Sequence, residues 1–313
     1  MTRGGLRLNR IASLALSLAL LTVAIGPVIS RTQAQSAPVP VVATFSILGD
    51  IVQNVGGDRI ALTTLVGPDG EIHEYEPTPS DARALGNAAI LVENGLGVET
   101  WIDRLYSASR SSARRVVITG GIDPLRIDDG ERRGEVDPHM WHDPVLVRQM
   151  VGAVRSALVE VDPVNADVYA ANAANYASGL QELDDWIRAQ VETVPPEQRK
   201  LVTAHDTFGY FARRYGFEIV GFAIPSFAPG AQPSARDLGN LSQLIRATGV
   251  GAVFPDNVSN ARLVERVAQE ARVGVAPALY TDSLGGPSSA GSTYMRMMHY
   301  NVTTMVSALR GWR

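Results

Sequence analysis

Asp137-Pro138-His139-Met140-Trp141-His142-Asp143-Pro144 gathers two imidazoles and two carboxylates in an octet punctuated by two prolines. Proline fixes φ and lacks an N–H, so the stretch reads as a rigid, extended turn and not as a helix. It holds two of the chain's five histidines. A metal site needs imidazole presented in a geometry set before the ion arrives, and a rigid turn supplies that. The competing reading is a polar surface loop that happens to contain histidine. The octet also stands at a junction: strands and helices alternate before it, and the pattern after it is purely helical.

Upstream, residues 39–45 (VPVVATF) are β-branched and apolar, as in a buried strand. A helix is expected over 47–55, a strand over 60–66, and a break at Gly67-Pro68-Asp69-Gly70. His73 follows in a proline-bounded loop, and Ser80 is expected to cap a helix over 81–85. Strands over 88–92 and 115–118 flank a helix over 99–108. Residues 120–135 read as a mobile polar loop without histidine. Downstream, 145–194 is helical with a break at Asp162-Pro163. Its second helix, 165–192, places Tyr169, Ala173, Tyr176, Leu180, Leu183 and Ile187 at helical spacing. At about 1.5 Å per residue such a helix spans roughly 40 Å and can strut two lobes. After Pro195-Pro196 the alternation resumes, with strands over 201–204, 217–222, 251–254 and 273–278 and helices over 208–215, 234–248, 260–272 and 293–309.

The expected fold is therefore α/β: two lobes, each with a mainly parallel sheet flanked by helices, joined by one long rigid helix. The expected division is a signal peptide over 1–34, an N-terminal α/β metal-binding lobe over 35–144, a helical connector over 145–196 and a C-terminal α/β lobe over 197–313. The leader reading rests on Arg3, Arg7 and Arg10, an apolar run over 11–28 and a small-residue cleavage site at Thr32-Gln33-Ala34. A membrane anchor is the alternative, disfavoured by Ser13, Ser17, Thr22 and Gly26-Pro27 within the run.

The leader holds Arg3, Arg7, Arg10 and Arg31 and no acid. Of 28 basic and 32 acidic residues, 24 and 32 then remain, a net charge of −8. That balance excludes nucleic acid as a natural partner and suits cations. The chain has no cysteine, which removes disulfides, thiolate zinc sites and the attachment point of a lipoprotein. A metal site must then use His, Asp and Glu. In parallel sheets ligands sit beyond the carboxyl ends of strands. His73, His205 and Asp282 all follow expected strands, and His139 lies in the rigid turn, so two candidates come from each half. Three imidazoles and a carboxylate suit four-coordinate Zn²⁺, whereas Mn²⁺ prefers more oxygen. A shell closed by four protein ligands holds a metal rather than activating water on it. His142 is expected outside the ligand set, His299 is expected to be structural, Trp141 and Tyr75 to wall the cleft, and Glu74, Asp206 and Asp143 to accept from ligand N–H groups.

The residues carrying these readings resemble the zinc/manganese solute-binding proteins of bacterial ABC importers, the TroA/ZnuA/AztC-like group. The resemblance covers the mature chain. It rests on His73 with Tyr75-Glu76-Pro77-Thr78-Pro79-Ser80-Asp81, Asn94-Gly95-Leu96-Gly97, Asp137-Pro138-His139-Met140-Trp141, His205-Asp206, Phe208, Tyr210, Tyr215-Gly216 and Asp282-Ser283-Leu284. It implies a periplasmic monomer that holds a metal ion between its lobes through His73, His139, His205 and Asp282. It further implies delivery to an inner-membrane permease with a cytoplasmic ATPase. Manganese members carry Glu where this chain has His205, which favours Zn²⁺ over Mn²⁺ as the transported ligand. Two departures stand out. The histidine-rich loop of many zinc members is missing, which leaves room for a periplasmic zinc metallochaperone as the donor. Asp256 stands where family members tend to carry Glu, which puts that carboxylate's role in doubt. The other classes considered are a secreted zinc hydrolase, for which Glu74 or Glu76 would have to serve as base without a His-Glu-x-x-His helix, and a metal-binding adhesin, which lacks an anchor.

Overall fold

The computed structural model describes residues 37–127 and 132–311. The leader read over 1–34, and the loop acids Asp128, Asp129 and Glu131, lie outside the described residues. Strands β1 (Val39–Phe45), β2 (Ile60–Val66), β3 (Ile90–Glu93) and β4 (Arg114–Val117) form a parallel sheet in the order β2-β1-β3-β4. β1 is buried at every position except Pro40, as expected of a strand covered on both faces. Helix α1 (Ser46–Gly56) buries Ile47, Leu48, Ile51, Val52 and Val55, an apolar stripe at helical spacing. Helices α2 (Pro79–Gly86) and α3 (Ile102–Ser109) complete the N-terminal lobe.

Helices α4 (Pro144–Val161) and α5 (Ala166–Glu192) follow. In the C-terminal lobe β5 (Lys200–His205) pairs in parallel with β6 (Glu218–Ile224), and β7 (Ala252–Val253) with β8 (Gly274–Val275). A parallel bridge between Thr203 and Phe254, with Phe254 N–H donating to Val202 C=O at 2.9 Å, joins the two pairs. The resulting order, β6-β5-β7-β8, repeats the second-first-third-fourth order of the N-terminal sheet. Helices α6 (Gly209–Tyr215), α7 (Ala235–Thr248), α8 (Ala261–Ala271) and α9 (Tyr294–Leu309) pack around it. Among the described residues, no helix is long and apolar enough to cross a membrane.

The strut α5 runs 27 residues and packs against α1, α4 and α9 and against α6 of the second lobe. Its apolar face is the one read from the sequence, with one exception. Asp184 is buried on that face and accepts from Arg214 Nε and Nη2, both at 2.7 Å, and from Tyr215 Oη at 2.8 Å. Burial pushes its carboxyl pKa up, but the Arg214 guanidinium more than offsets this and holds it below the ordinary value. Arg214 also lies 3.2 Å from Asp143, whose carboxylate caps α4 by accepting from Val145 N–H at 2.9 Å. One guanidinium thus ties the strut, α6 and the Asp137–Pro144 turn together.

Among the local expectations that differ from the structure, three have a clear physical cause. The turn is not wholly extended: Met140–His142 close one 3₁₀ turn. Pro144 permits this because its missing N–H falls at the first position of α4, where no intrahelical bond is due. α2 is capped by Thr78 and not Ser80, through a reciprocal box in which Asp81 accepts from Thr78 N–H at 2.6 Å. Pro79 suits the first helical position, so the helix begins before Ser80. α3 begins at Ile102 because Glu99 is engaged elsewhere, accepting from Thr44 Oγ1 and Asn94 N–H at 2.7 Å and from Gly95 N–H at 3.0 Å. Gly95 has φ +79°, a conformation that glycine adopts without strain.

Replacing Asp184 with alanine leaves Arg214 without its main partner. We expect Asp184→Ala to cost about 3 kcal/mol of stability. Urea midpoints at an unchanged m-value check this; a loss below about 1 kcal/mol would remove the clamp's role.

Candidate metal centre

Each candidate side chain is held by its own local device. His73 lies in the loop after β2, where its N–H donates to Glu71 Oε1 at 2.6 Å and Trp101 Nε1 donates to Ile72 C=O at 2.9 Å. His139 contacts Asp137 Oδ1 through both its N–H (2.9 Å) and its ring Nδ1 (2.8 Å). The His139 ring meets Trp141 edge-on with centroids 5.1 Å apart, and Trp141 Nε1 donates to Thr281 C=O at 2.9 Å, beside Asp282. His205 ends β5, and its Nδ1 lies 2.7 Å from Asp256 Oδ2. Asp256 is itself held by Val258 N–H at 3.1 Å and Ser259 N–H at 2.7 Å. Asp282 sits in the loop after β8. Next to it Ser283 Oγ lies 3.1 Å from Ser46 Oγ, and Leu284 C=O accepts from Asp69 N–H at 2.8 Å, so the loops of the two lobes are stitched directly.

The free ends of these side chains converge. His139, His205 and Asp282 are fully buried and His73 nearly so. Asp282 Oδ2 lies 3.0 Å from His205 Nε2 and 3.5 Å from His73 Nε2, while Asp282 Oδ1 lies 3.7 Å from His139 Nε2. Ligand atoms of His73, His139 and Asp282 all fall within 4.8 Å of one another, and His205 reaches the group through Asp282. Among the described residues, His73 Nε2, His139 Nε2, His205 Nε2 and Asp282 Oδ2 make no hydrogen bond. His205 Nε2 and Asp282 Oδ2 face one another as an ion pair at 3.0 Å, whereas a buried imidazole nitrogen such as His73 Nε2 or His139 Nε2 left without a hydrogen bond costs about 1–3 kcal/mol, which a cation held with Asp282 would offset.

The charges are set by burial and by one another. Burial lowers the His205 pKa, but the Asp282 and Asp256 carboxylates override it and raise it to about 10. Burial raises the Asp282 carboxyl, yet the facing imidazoles, His205 foremost, pull it well below the usual range. His142, buried and repelled by His139, is pushed down to about 3 and stays neutral.

Other expected roles fall out differently. The acceptors for ligand N–H groups are Asp137 and Asp256; Glu74, Asp206 and Asp143 do not fill that role among the described residues. Asp206 instead accepts from Arg132 Nη1 at 2.9 Å, and Asp143 caps α4. Asp137 was legible, two residues before His139 in a stiff Asp-Pro-His step. Asp256 was not, because it stands 51 residues from His205 and only the β5–β7 adjacency brings them together. Although it stands where Glu was expected, this carboxylate reaches the His205 ring. His142 does not face the centre, its Nε2 lying 3.2 Å from Thr207 Oγ1. Trp141 lies buried beneath His139, and Tyr75 lines a shallow cavity beside His73 and Trp101. His299 meets Trp186 edge-on at 4.2 Å between centroids.

A sequence profile described as zinc-uptake complex component A, periplasmic, matches residues 41–308. The chain is 36% identical over 293 residues to the manganese-binding lipoprotein MntA of Halalkalibacterium halodurans, covering 93% of this chain and 95% of that one. It is 33% identical over 266 residues to the iron-binding protein YfeA of Yersinia pestis, covering 85% and 84%. The solved structure of the periplasmic zinc binding protein TroA from Treponema pallidum superposes with a TM-score of 0.81 at 31% identity, covering 87% of this chain and 99% of that one. Two parallel α/β lobes on a long helix, with this sequence match, define a solute-binding protein of the ABC-importer class. The chain belongs to the zinc-uptake component A family, the group of ZnuA and TroA.

Two outcomes follow from the geometry. At neutral pH the His205 proton, held by a pKa near 10, must leave when a metal takes Nε2. Metal affinity is therefore expected to rise with pH up to about that value and to fall as pH drops, with roughly one proton released per ion near pH 7. Calorimetry in buffers of different ionisation enthalpy reads this directly, and zero release would contradict it. Separately, a Cβ on Gly209 would run into Asp137 Oδ2. Gly209→Ala should displace the carboxylate that holds His139 and weaken metal binding about 10-fold or more, read by competition titration.

Proposed function

We propose that this protein captures one Zn²⁺ ion with His73, His139, His205 and Asp282 and delivers it to an ABC-type import permease driven by a cytoplasmic ATPase. The observation that carries the reading is the convergence of buried ligand atoms from both lobes, with His73, His139 and Asp282 within 4.8 Å of one another and His205 Nε2 3.0 Å from Asp282. Three neutral nitrogens and one carboxylate oxygen match the tetrahedral preference of zinc. Asp137 and Asp256 behind two of the imidazoles orient the rings and raise their basicity, as supporting carboxylates do in zinc sites. With four protein ligands there is no open position for an activated water, so the role is to hold the ion and not to catalyse with it.

The remaining features extend the same reading. The expected leader sends the chain to the periplasm, where it acts as a free monomer, since it has no cysteine to carry a lipid, although the MntA relative is named a lipoprotein. The lobes proposed are 35–144 and 197–313, with 145–196 as connector. Lacking a histidine-rich loop, the protein receives its ion from solution or from a zinc metallochaperone. A second reading, manganese as cargo, is favoured by the similarity to MntA.

Purified protein from Gln35 onward, beside His205→Ala and Asp282→Ala, tests both. One zinc per chain is expected, with affinity reduced in either variant by more than the roughly 10–100-fold cost of losing an outer-shell partner. Tighter binding of manganese than zinc would support the second reading, and no bound metal would remove both.

A further inference from the structure

The Asn94–Gly97 loop contributes no metal ligand, yet the segment from Asn94 to Trp101 touches the carrier of each ligand of the N-terminal lobe. At its start the buried Asn94 side chain donates from Nδ2 to Pro138 C=O at 3.2 Å, the carbonyl directly before His139. Nδ2 also donates to Gly95 C=O at 3.1 Å. Carbonyl oxygens only accept, so the amide must turn its NH₂ group to the His139 turn. At the other end Trp101 Nε1 donates to Ile72 C=O at 2.9 Å, and Thr100 Oγ1 donates to His73 C=O at 3.3 Å. Between the two ends the buried Glu99 carboxylate accepts from Asn94 N–H and Thr44 Oγ1 at 2.7 Å and from Gly95 N–H at 3.0 Å. Thr119 Oγ1 donates to Asn94 C=O at 2.6 Å. Thr44 belongs to β1 and Thr119 follows β4, so the segment is fastened to the sheet independently of the ligands it reaches. Its turn is tight: Gly95, Leu96 and Gly97 have φ of +79°, +57° and +86°, and a Cβ on Gly95 would overlap Val117.

We propose that residues 94–101 form a brace that sets the spacing of His73 and His139, with Asn94 and Trp101 as positioning residues and the Glu99 carboxylate as the lock between them. This rests on the reading of His73 and His139 as metal ligands. Their ring centroids stand 5.6 Å apart, yet they come from different loops. Asp137 holds His139, and Glu71 holds the His73 N–H, each from two residues away. Such contacts orient a ligand within its own loop and cannot fix one loop against the other. The brace reaches both loops through backbone carbonyls, so it places the chain that carries each ring. A ligand pair held to a fixed spacing before the ion arrives binds it without a further ordering cost. Glu99 hydrogen-bonds to neither ligand nor its carrier, so any effect it has on the metal must pass through the brace.

The test measures Zn²⁺ affinity by competition without denaturant, beside the urea midpoint of the metal-free form, for the unmodified protein, Asn94→Ala, Trp101→Phe and Glu99→Gln. A protein that stays folded throughout the titration does not report its stability in its affinity, so lost packing alone moves only the midpoint. Asn94→Ala and Trp101→Phe each remove one donor and are expected to weaken Zn²⁺ binding about 10-fold or more. Glu99→Gln is expected to weaken it at least as much. Adding Asn94→Ala to Glu99→Gln then costs less than Asn94→Ala does alone, because the brace is already loose. Lowered midpoints with affinities within about 2-fold of the unmodified protein would overturn the proposal, as would Glu99→Gln binding Zn²⁺ normally. Should Glu99→Gln fail to fold, Asn94→Ala and Trp101→Phe decide alone. Unmodified protein that takes up neither Zn²⁺ nor Mn²⁺ defeats the ligand set itself, a result distinct from an affinity that ignores the brace.

Discussion

The rest of the structure depends on the carboxylate of Asp282, fully buried where the two lobes meet. An ionised carboxylate taken out of water is costly unless opposite charge or hydrogen-bond donors surround it. Here His205 supplies the charge and Thr207 a donor. The imidazoles in turn need their far nitrogens satisfied, and Asp137 and Asp256 do so for His139 and His205. The cluster is therefore a set of interdependent charges.

The scaffold exists to keep those charges at a fixed spacing. Loops beyond the carboxyl ends of β2, β5 and β8 meet at Asp282, which is where loops carry ligands in this class of fold. The strut α5 and the Asp184–Arg214–Asp143 clamp fix the second lobe against the turn that carries His139. Direct stitches between Ser46 and Ser283, and between Asp69 and Leu284, cross the seam beside Asp282. A seam with this many polar ties favours small local displacements over a wide hinge opening.

Much of the secondary structure was legible because its causes are local. The runs at 39–45 and 60–66 are β-branched and apolar, and both are strands with those bounds. The periodic apolar positions of α5 mark the buried face of a long helix. Where the reading slipped, a neighbour had changed the local preference. Pro79 drew the start of α2 forward to Thr78, and Glu99 was taken from α3 to sew the Asn94–Gly97 loop. The four candidate side chains were named from their positions at strand ends and in a proline-bounded turn, and they lie near one another. Asp137 was within reach of the same reasoning, because a carboxylate two residues before a stiffened histidine can close back on it.

By itself, then, the sequence determined the alternation of strands and helices, the length of the strut, the acidic and cysteine-free composition that restricts ligands to His, Asp and Glu, and which side chains stand at strand ends. These are properties of neighbouring residues, set by torsional preference and apolar periodicity. Only the tertiary structure decided that Asp256 serves His205, that His142 turns away from the centre toward Thr207, and that Thr207 donates to Asp282. Those outcomes depend on contacts between residues 51 to 75 positions apart. No local rule reaches across that separation; it is bridged by the register of β5 against β7 and the seating of one lobe on the other.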